Sequence, residues 1–350
     1  MSTVMRVREL RTYFHLDEGI VRAVDGVSFN LEEGKTLAIV GESGCGKTVT
    51  GFSLMQLVPK PGRIESGEIL LYRKDQAPCN IVDFHPESPE MHSMRGKDIA
   101  MIFQEPMASL SPVHTVGFQI VEAIQVHRAL PRVAAREMAI GLLGDVGIPD
   151  PAQRVDSYAY ELSGGMRQRA MIAMALACDP AILIADEPTT AVDVTIQAQI
   201  LRLLRRLQRE KGTSIMLITH DLGVVAAMAD DVAVMYLGGI VESGSVKDIF
   251  YDPKHPYTIG LIKSTPIIGQ GKISELETIE GSVPGPFEYI EGCRFHPRCE
   301  SFMPGKCDTL VPPVVEVSGG HFASCWLYEH LIGEAEEPSE YLVEEGSLHG

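Results

Sequence analysis

The stretch Gly41-x-x-x-x-Gly46-Lys47-Thr48 constrains this chain more than any other. It follows an apolar run over residues 37–40 that reads as a buried strand, and it opens onto a segment of helical character. That is the strand–loop–helix context of a phosphate-binding loop. Glycines let consecutive backbone N–H groups curl inward on an anion, and the following helix adds its positive N-terminal end. In this pattern Gly41, Glu42, Ser43, Gly44, Cys45, Gly46, Lys47 and Thr48 form the cradle. Lys47 would reach the outer phosphates, and the Thr48 hydroxyl would ligate Mg²⁺.

The 350 residues can hold one large domain with an appendage, or two domains. A net charge of −17 argues against broad contact with nucleic acid or an anionic membrane surface. No signal peptide is expected, because residues 1–10 carry Arg6, Arg8 and Glu9 with no apolar stretch. Apolar windows such as residues 224–229 fall far short of a membrane-spanning helix. Seven cysteines in such a chain point to metal binding or packing in a reducing compartment before disulfides.

Alternation and turn signals predict antiparallel strands over residues 4–14 and 21–31, with an aromatic, Tyr13 or Phe14, placed to stack on a purine. A helix over 48–58 is stopped by Pro59 and Pro61, and 64–72 resumes strand character. Residues 73–96 are polar and proline-containing and read as an exposed insertion. After a short buried strand at 99–103, helical spacing over 116–127 and 133–146 marks a helical insertion. Further elements are a helix ending near Ala177, a strand at 181–185, a helix at 194–211 and a strand at 214–219. Alternating strands and helices predict a mostly parallel sheet covered on both faces. Past residue 265 the chain is rich in Gly and Pro, and residues 333–345 hold six glutamates and read as a solvated tail.

Several strand ends carry chemistry. Asp186 closes one strand and suits Mg²⁺, and Glu187 beside it could deprotonate a water attacking a γ-phosphate. Gln104 and His220 close two other strands and would lie along the same sheet edge, where open α/β sheets bind ligands.

At Leu162-Ser163-Gly164-Gly165 the sequence resembles the ATP-binding cassette (ABC) ATPases of membrane transporters. The resemblance spans residues 4–260 and includes the phosphate loop, Gln104, the signature at 162–168, Asp186–Glu187, Asp193 in Thr-Ala-Val-Asp, and His220. Val192 departs from the leucine more usual before that aspartate. The segments Ser163-Gly164-Gly165-Met166-Arg167-Gln168-Arg169 and His255-Pro256-Tyr257-Thr258 are similar to the oligopeptide/dipeptide/nickel importers, in the form of their D-type ATPase subunit. The resemblance implies a P-loop ATPase core of ABC type, with an antiparallel β subdomain, a helical subdomain at about 106–169 and a Cys-rich C-terminal extension. The expected division is 1–265 for the ATPase domain, 266–330 for the Cys-rich module and 331–350 for the tail.

It further implies a dimer of cassettes that sandwiches two ATP molecules. Ser163, Gly164, Gly165 and Gln168 would contact the partner's ATP, Asp193 would lie at the dimer interface, and Phe14 before Tyr13 would stack on adenine. Mg²⁺ would be held by Thr48, Gln104 and Asp186. Catalysis would fall to Glu187, His220 and Gln104. Residues 107–119 would touch two transmembrane permease subunits, with an extracytoplasmic solute-binding protein completing the complex. The chain would sit peripherally on the cytoplasmic face of the membrane and power import of peptides, with nickel or oligosaccharides as alternative cargo. A soluble ABC ATPase uncoupled from transport is the competing reading; such proteins usually fuse two cassettes or insert coiled coils, and this chain has neither.

Cys293, Cys299, Cys307 and Cys325 follow a C-x5-C-x7-C-x17-C spacing. Four thiolates suit an iron–sulfur cluster or structural zinc, and these spacings are long for a zinc finger. Peptide-importer ATPases share Cys-Arg-Phe-His-Pro-Arg-Cys, and the resemblance implies a [4Fe-4S] cluster ahead of Zn²⁺. His296 and His321 are possible substitute ligands. Cys45 and Cys178 read as loop filling and packing.

Overall fold

A computed structural model describes residues 2–104, 109–190, 192–264 and 279–333. The start of the segment expected to touch permeases (107–108 of 107–119), Ala191 of Thr-Ala-Val-Asp and most of the acidic tail (334–350) lie outside these residues.

Two sheets flank one helix. The first is antiparallel, ordered β2-β1-β4-β5, from β1 (Thr3–Leu16), β2 (Gly19–Glu32), β4 (Gly62–Leu71) and the short β5 (Cys79–Asn80). The second is built on β3 (Thr36–Val40), β6 (Ile99–Ile102), β7 (Ile182–Asp186), β8 (Ser214–Ile218) and β9 (Asp231–Tyr236), which run parallel in the order β9-β3-β8-β7-β6. Strands β3, β6, β7 and β8 are buried at every position, as their continuous apolar runs require of a sheet covered on both faces. Helix α1 (Lys47–Leu54) packs between the sheets, so close that a methyl group on Gly51 would meet Ile218 and Ile184 at 3.2 and 3.3 Å.

Helix α1 is shorter than the predicted 48–58. Gln56 turns into positive φ, and the Arg95 guanidinium bonds the Met55 and Gln56 carbonyls, ending the helix from 40 positions along the chain. That arginine follows α2 (Pro89–Met94). The stretch expected to be an exposed insertion therefore contributes core: Ile81, Met91 and Met94 are buried.

Helices α3 (Val116–His127), α4 (Arg132–Asp145), the single turn α5 (Pro151–Arg154) and α6 (Gly164–Ala175) form the helical region. Its core is continuous with β6, β7 and α7 (Val194–Lys211). The last of these is a clean reading of sequence. Asp193 caps its start through bonds from the Thr195 and Ile196 N–H groups, Gly212 ends it at φ 71°, and Ile200, Leu203, Leu204 and Leu207 bury one stripe.

Beyond α8 (Leu222–Met228), β10 (Gly239–Ser245) turns back antiparallel on β9, followed by α9 (Val246–Tyr251) and α10 (Pro256–Lys263). The segment expected as a module of its own then supplies β11 (Val314–Ser318) and β12 (His321–Ser324), and β12 pairs with β10. The parallel sheet thus grows to eight strands. Phe295 enters the cassette's aromatic core, edge-on to Tyr236 at 5.3 Å and tilted against Tyr257 at 5.4 Å.

Candidate functional site

The carboxyl ends of four parallel strands deliver the site. β3 runs into the loop 41–46, β6 into Gln104, β7 ends on Asp186 with Glu187 next, and β8 leads to His220. The loop takes its shape because glycine is required at two close approaches. A Cβ on Gly41 would lie 2.1 Å from the Met235 carbonyl oxygen, and one on Gly46 (φ 102°) would lie 1.9 Å from that of Ala23. Ser43 and Gly44 are exposed at the tip, while Cys45 is buried below it, where burial pushes its thiol pKa up. Lys47, 6% exposed, folds back across the loop and donates to the carbonyls of Gly41 (2.8 Å) and Glu42 (2.9 Å).

Thr48 donates its hydroxyl to Asp186 Oδ1 at 3.1 Å. Asp186 is almost fully buried, and burial pushes its carboxyl up to about 6. A carboxylate destabilised in this way and paired with a hydroxyl is a donor set suited to a hard cation such as Mg²⁺.

Glu187 is the hub of a second cluster. Its Oε2 accepts from Thr190 Oγ1 (2.7 Å) and Gln104 Nε2 (3.1 Å), and its Oε1 lies 2.9 Å from His220 Nδ1. Burial works to raise this carboxyl, but the bonds from His220 and Thr190 outweigh it and hold the pKa below the ordinary glutamate value. The residue sits at φ 44°, a left-handed conformation that aims it out of the strand end. Gln104 bonds Glu187 here and has no bond to Thr48 or Asp186 among the described residues. Thr190 went unmarked in sequence, since nothing in the run after Asp186–Glu187–Pro188 separates a donor from an ordinary turn threonine.

The signature residues occupy a different place. Ser163 caps α6 by accepting from the Met166 N–H, and it and Gly164 are exposed. Gly165 lies against Ile196 at the start of α7, near Asp193. No hydrogen bond joins these residues to the loop 41–48 among the described residues. Gln168, expected beside them at a partner's nucleotide, is instead 2% exposed and donates to the Pro188 carbonyl at 2.6 Å. It ties the signature helix to the turn after Glu187, because its position one helical turn inside α6 points it into the core.

Of the two candidate base-stacking aromatics, Tyr13 is already engaged. Its hydroxyl donates to Asp25 (2.6 Å), its ring lies 5.9 Å from the Arg22 guanidinium, and burial with the Asp25 bond pushes its pKa up to about 12. Phe14 is half-buried over Gly62 and Val58.

The C-terminal segment reaches this site, a contact that sequence reading did not supply. Arg298 donates to both carboxylate oxygens of Glu42 at 2.8 and 3.1 Å, and the Tyr257 hydroxyl accepts from the Glu42 N–H at 2.9 Å. Arg294 donates to the Leu237 carbonyl and to Asp25.

The four C-terminal cysteines lie near enough to influence one another electrostatically, with Cys293, Cys307 and Cys325 buried and Cys299 half-buried. Burial, and after it the charges of neighbouring cysteines, push the Cys293 and Cys325 thiols up to about 11. The Cys293 N–H donates to the Cys307 carbonyl at 2.7 Å. Among the described residues no group of three His, Cys, Asp or Glu side chains is placed to hold a metal ion, so neither the expected [4Fe-4S] cluster nor the zinc alternative gains support here. His296 Nδ1 lies 2.9 Å from the Cys293 carbonyl, and His321 Nε2 lies 2.7 Å from Glu242 Oε1, while the buried His321 Nδ1 has no hydrogen-bond partner among the described residues.

Comparison with known proteins agrees with this geometry. A family model described as "ABC transporter" matches residues 24–190, and one described as "Oligopeptide/dipeptide transporter, C-terminal region" matches 241–307. The chain is 49% identical over 336 residues to the dipeptide transport ATP-binding protein DppD of Bacillus subtilis, covering 96% of this chain and 98% of that one. It is 48% identical over 330 residues to the oligopeptide transport ATP-binding protein AppD of the same organism, covering 94% and 98%. Among solved structures it is similar to the dimeric bacterial ABC transporter cassette MJ0796, at 25% identity and a TM-score of 0.60 over 69% of this chain and 98% of that one.

Proposed function

Because the chain belongs to the family of ABC transporter ATP-binding subunits, we propose that it binds and hydrolyses ATP to power a membrane importer of di- or oligopeptides. The peptide assignment rests on the relatives' names and on the match of the C-terminal region. The observation that carries the ATPase reading is the convergence of Lys47, Thr48–Asp186 and the Gln104–Glu187–His220 cluster on one sheet edge. Among the described residues no helix is long and apolar enough to cross a membrane, so transport requires membrane-embedded partner subunits.

The roles follow from position. The loop N–H groups and Lys47 take the phosphates, Lys47 exchanging its bonds to loop carbonyls for phosphate oxygens. Thr48 and Asp186 would hold Mg²⁺, which would supply neutralising charge at the phosphates. Glu187, ionised at neutral pH, accepts the proton of the attacking water, while His220 and Gln104 hold its carboxylate in place. Phe14 stacks on the base, since Tyr13 is committed to Asp25 and Arg22. Ser163 and Gly164, both exposed, and the half-buried Gly165 meet the nucleotide of a second cassette, with Asp193 close by at that interface. Closure of two cassettes on ATP and reopening after hydrolysis then drives the permease subunits between two states.

The grouping of four cysteines, three buried and Cys299 half-buried, is what supports reading them as ligands of a [4Fe-4S] cluster. Each cysteine on such a cluster binds a different iron, so the ligands need not converge on one point. Cys293, Cys299, Cys307 and Cys325 would hold it, and its iron–thiolate bonds would close residues 293–325 into one unit. We place the cassette boundary at about residue 265.

The test is Mg²⁺-dependent ATP hydrolysis by the purified full chain, with Lys47→Ala as control. Hydrolysis lost in the folded variant supports the reading; equal hydrolysis in both refutes it. For the cluster, anaerobic purification should give a broad visible band and about four irons per chain, and iron-free wild-type protein would refute it.

A further inference from the structure

Two arginines stand one residue inside the first two cysteines, in the order Cys293-Arg294 and Arg298-Cys299. The turn between them is a single hydrogen-bonded unit: the His296 N–H meets the Cys293 carbonyl at 3.0 Å, and the Cys299 N–H meets that of His296 at 3.3 Å. Arg298 and Cys299 therefore move together. The Arg298 side chain is 5% exposed and forks onto the Glu42 carboxylate, inside the phosphate loop. A two-bond fork fixes direction as well as distance, which a point charge does not. Glu42 is gripped on its backbone as well. The Tyr257 hydroxyl takes its N–H, and Lys47 bonds its carbonyl. Arg294 holds the neighbouring wall, where Asp25 and the Leu237 carbonyl adjoin Gly238, whose N–H bonds the Cys45 carbonyl.

We propose that Arg298 is a positioning residue for the phosphate loop, and that through it the arrangement of the C-terminal cysteines sets the affinity for nucleotide. It touches no reacting atom; it acts through Glu42. This rests on the ATPase reading above and deepens it by naming a control on the same site. Disturbing the cysteines displaces the 293–299 turn, the turn carries Arg298 off Glu42, and the loop loses one of its braces.

The experiment measures the Kd for ATP with Mg²⁺, and KM and kcat for hydrolysis, in the full chain and its variants, with thermal unfolding as a check on folding. Arg298→Gln should raise Kd and KM about tenfold with kcat within about threefold, whereas mere loosening would lower the active fraction and kcat and leave KM alone. Arg298→Lys should recover only part of the loss, because it lacks the fork. Glu42→Gln combined with Arg298→Gln should be no worse than either alone. Cys299→Ser should weaken ATP binding in the wild-type background and add nothing in Arg298→Gln. Unchanged Kd in Arg298→Gln overturns the positioning role, and additive effects of Cys299→Ser and Arg298→Gln overturn the transmission. Failure of the wild type itself to bind ATP would refute the ATPase reading instead.

Discussion

Replacing Glu187 by glutamine isolates proton abstraction from architecture. The carboxylate takes three partners, with Thr190 and Gln104 on Oε2 and His220 on Oε1. A glutamine in the same rotamer can keep its oxygen toward Thr190 and Gln104 and turn its NH₂ toward His220 Nδ1. The geometry survives, and stability should change by no more than about 1 kcal/mol. The capacity to take a proton does not survive. General-base catalysis contributes about 10²–10⁴-fold, which is roughly 3–5 kcal/mol of barrier. Because partner bonds hold the wild-type carboxyl below the ordinary glutamate value, the base is ionised throughout the neutral range. The wild-type rate should therefore show no loss to Glu187 protonation until the pH falls below the ordinary glutamate range. Single-turnover hydrolysis, with nucleotide binding measured in parallel, reads both quantities. The expected result is hydrolysis reduced at least about a hundredfold with ATP still bound and an ATP-dependent dimer that persists. Hydrolysis within about tenfold of wild type would refute the base assignment.

Gly46→Ala should abolish nucleotide binding and lower the unfolding midpoint, because its Cβ would sit 1.9 Å from the Ala23 carbonyl oxygen at a φ of 102°; ATP affinity equal to wild type would contradict the loop geometry. Burial pushes the Asp186 carboxyl up to about 6 from its ordinary 3.8. The folded chain thus binds more protons than the unfolded chain between about pH 4 and 6, and stability falls as pH rises through that window, by up to about 3 kcal/mol. Asp186→Asn should flatten that slope in the nucleotide-free protein and lose Mg²⁺-dependent ATP binding, both readable by thermal unfolding across pH. Cys293→Ser should remove the iron and the visible band, and a variant that keeps both would show that Cys293 is not a ligand.

Sequence reading succeeded where information is local. Helix 194–211 carries its cap, its stripe and its stop in adjacent residues, and the phosphate loop announces itself by glycines that two backbone approaches demand. The strand-end residues were legible too, since a buried apolar run that stops at a polar side chain leaves few places for that side chain to go. What escaped was long-range pairing. Arg95 ends a helix lying some 40 positions earlier, and Arg298 meets Glu42 across 256 positions. No periodicity links such partners, and each alone reads as a surface charge. Gln168 misled for the related reason that a motif shows which residues recur together without showing which of them the core absorbs. The pairing of β12 with β10 was invisible as well, because a few residues at an edge carry little alternation.

ATP turnover at this sheet edge is expected to drive peptide import. It is tested most directly by uptake of a radiolabelled dipeptide into cells in which Glu187→Gln of this chain is the only change, with the amount of the chain in the membrane fraction measured alongside. Uptake should fall to background while the chain remains membrane-associated at wild-type levels. Uptake at the wild-type rate would contradict it.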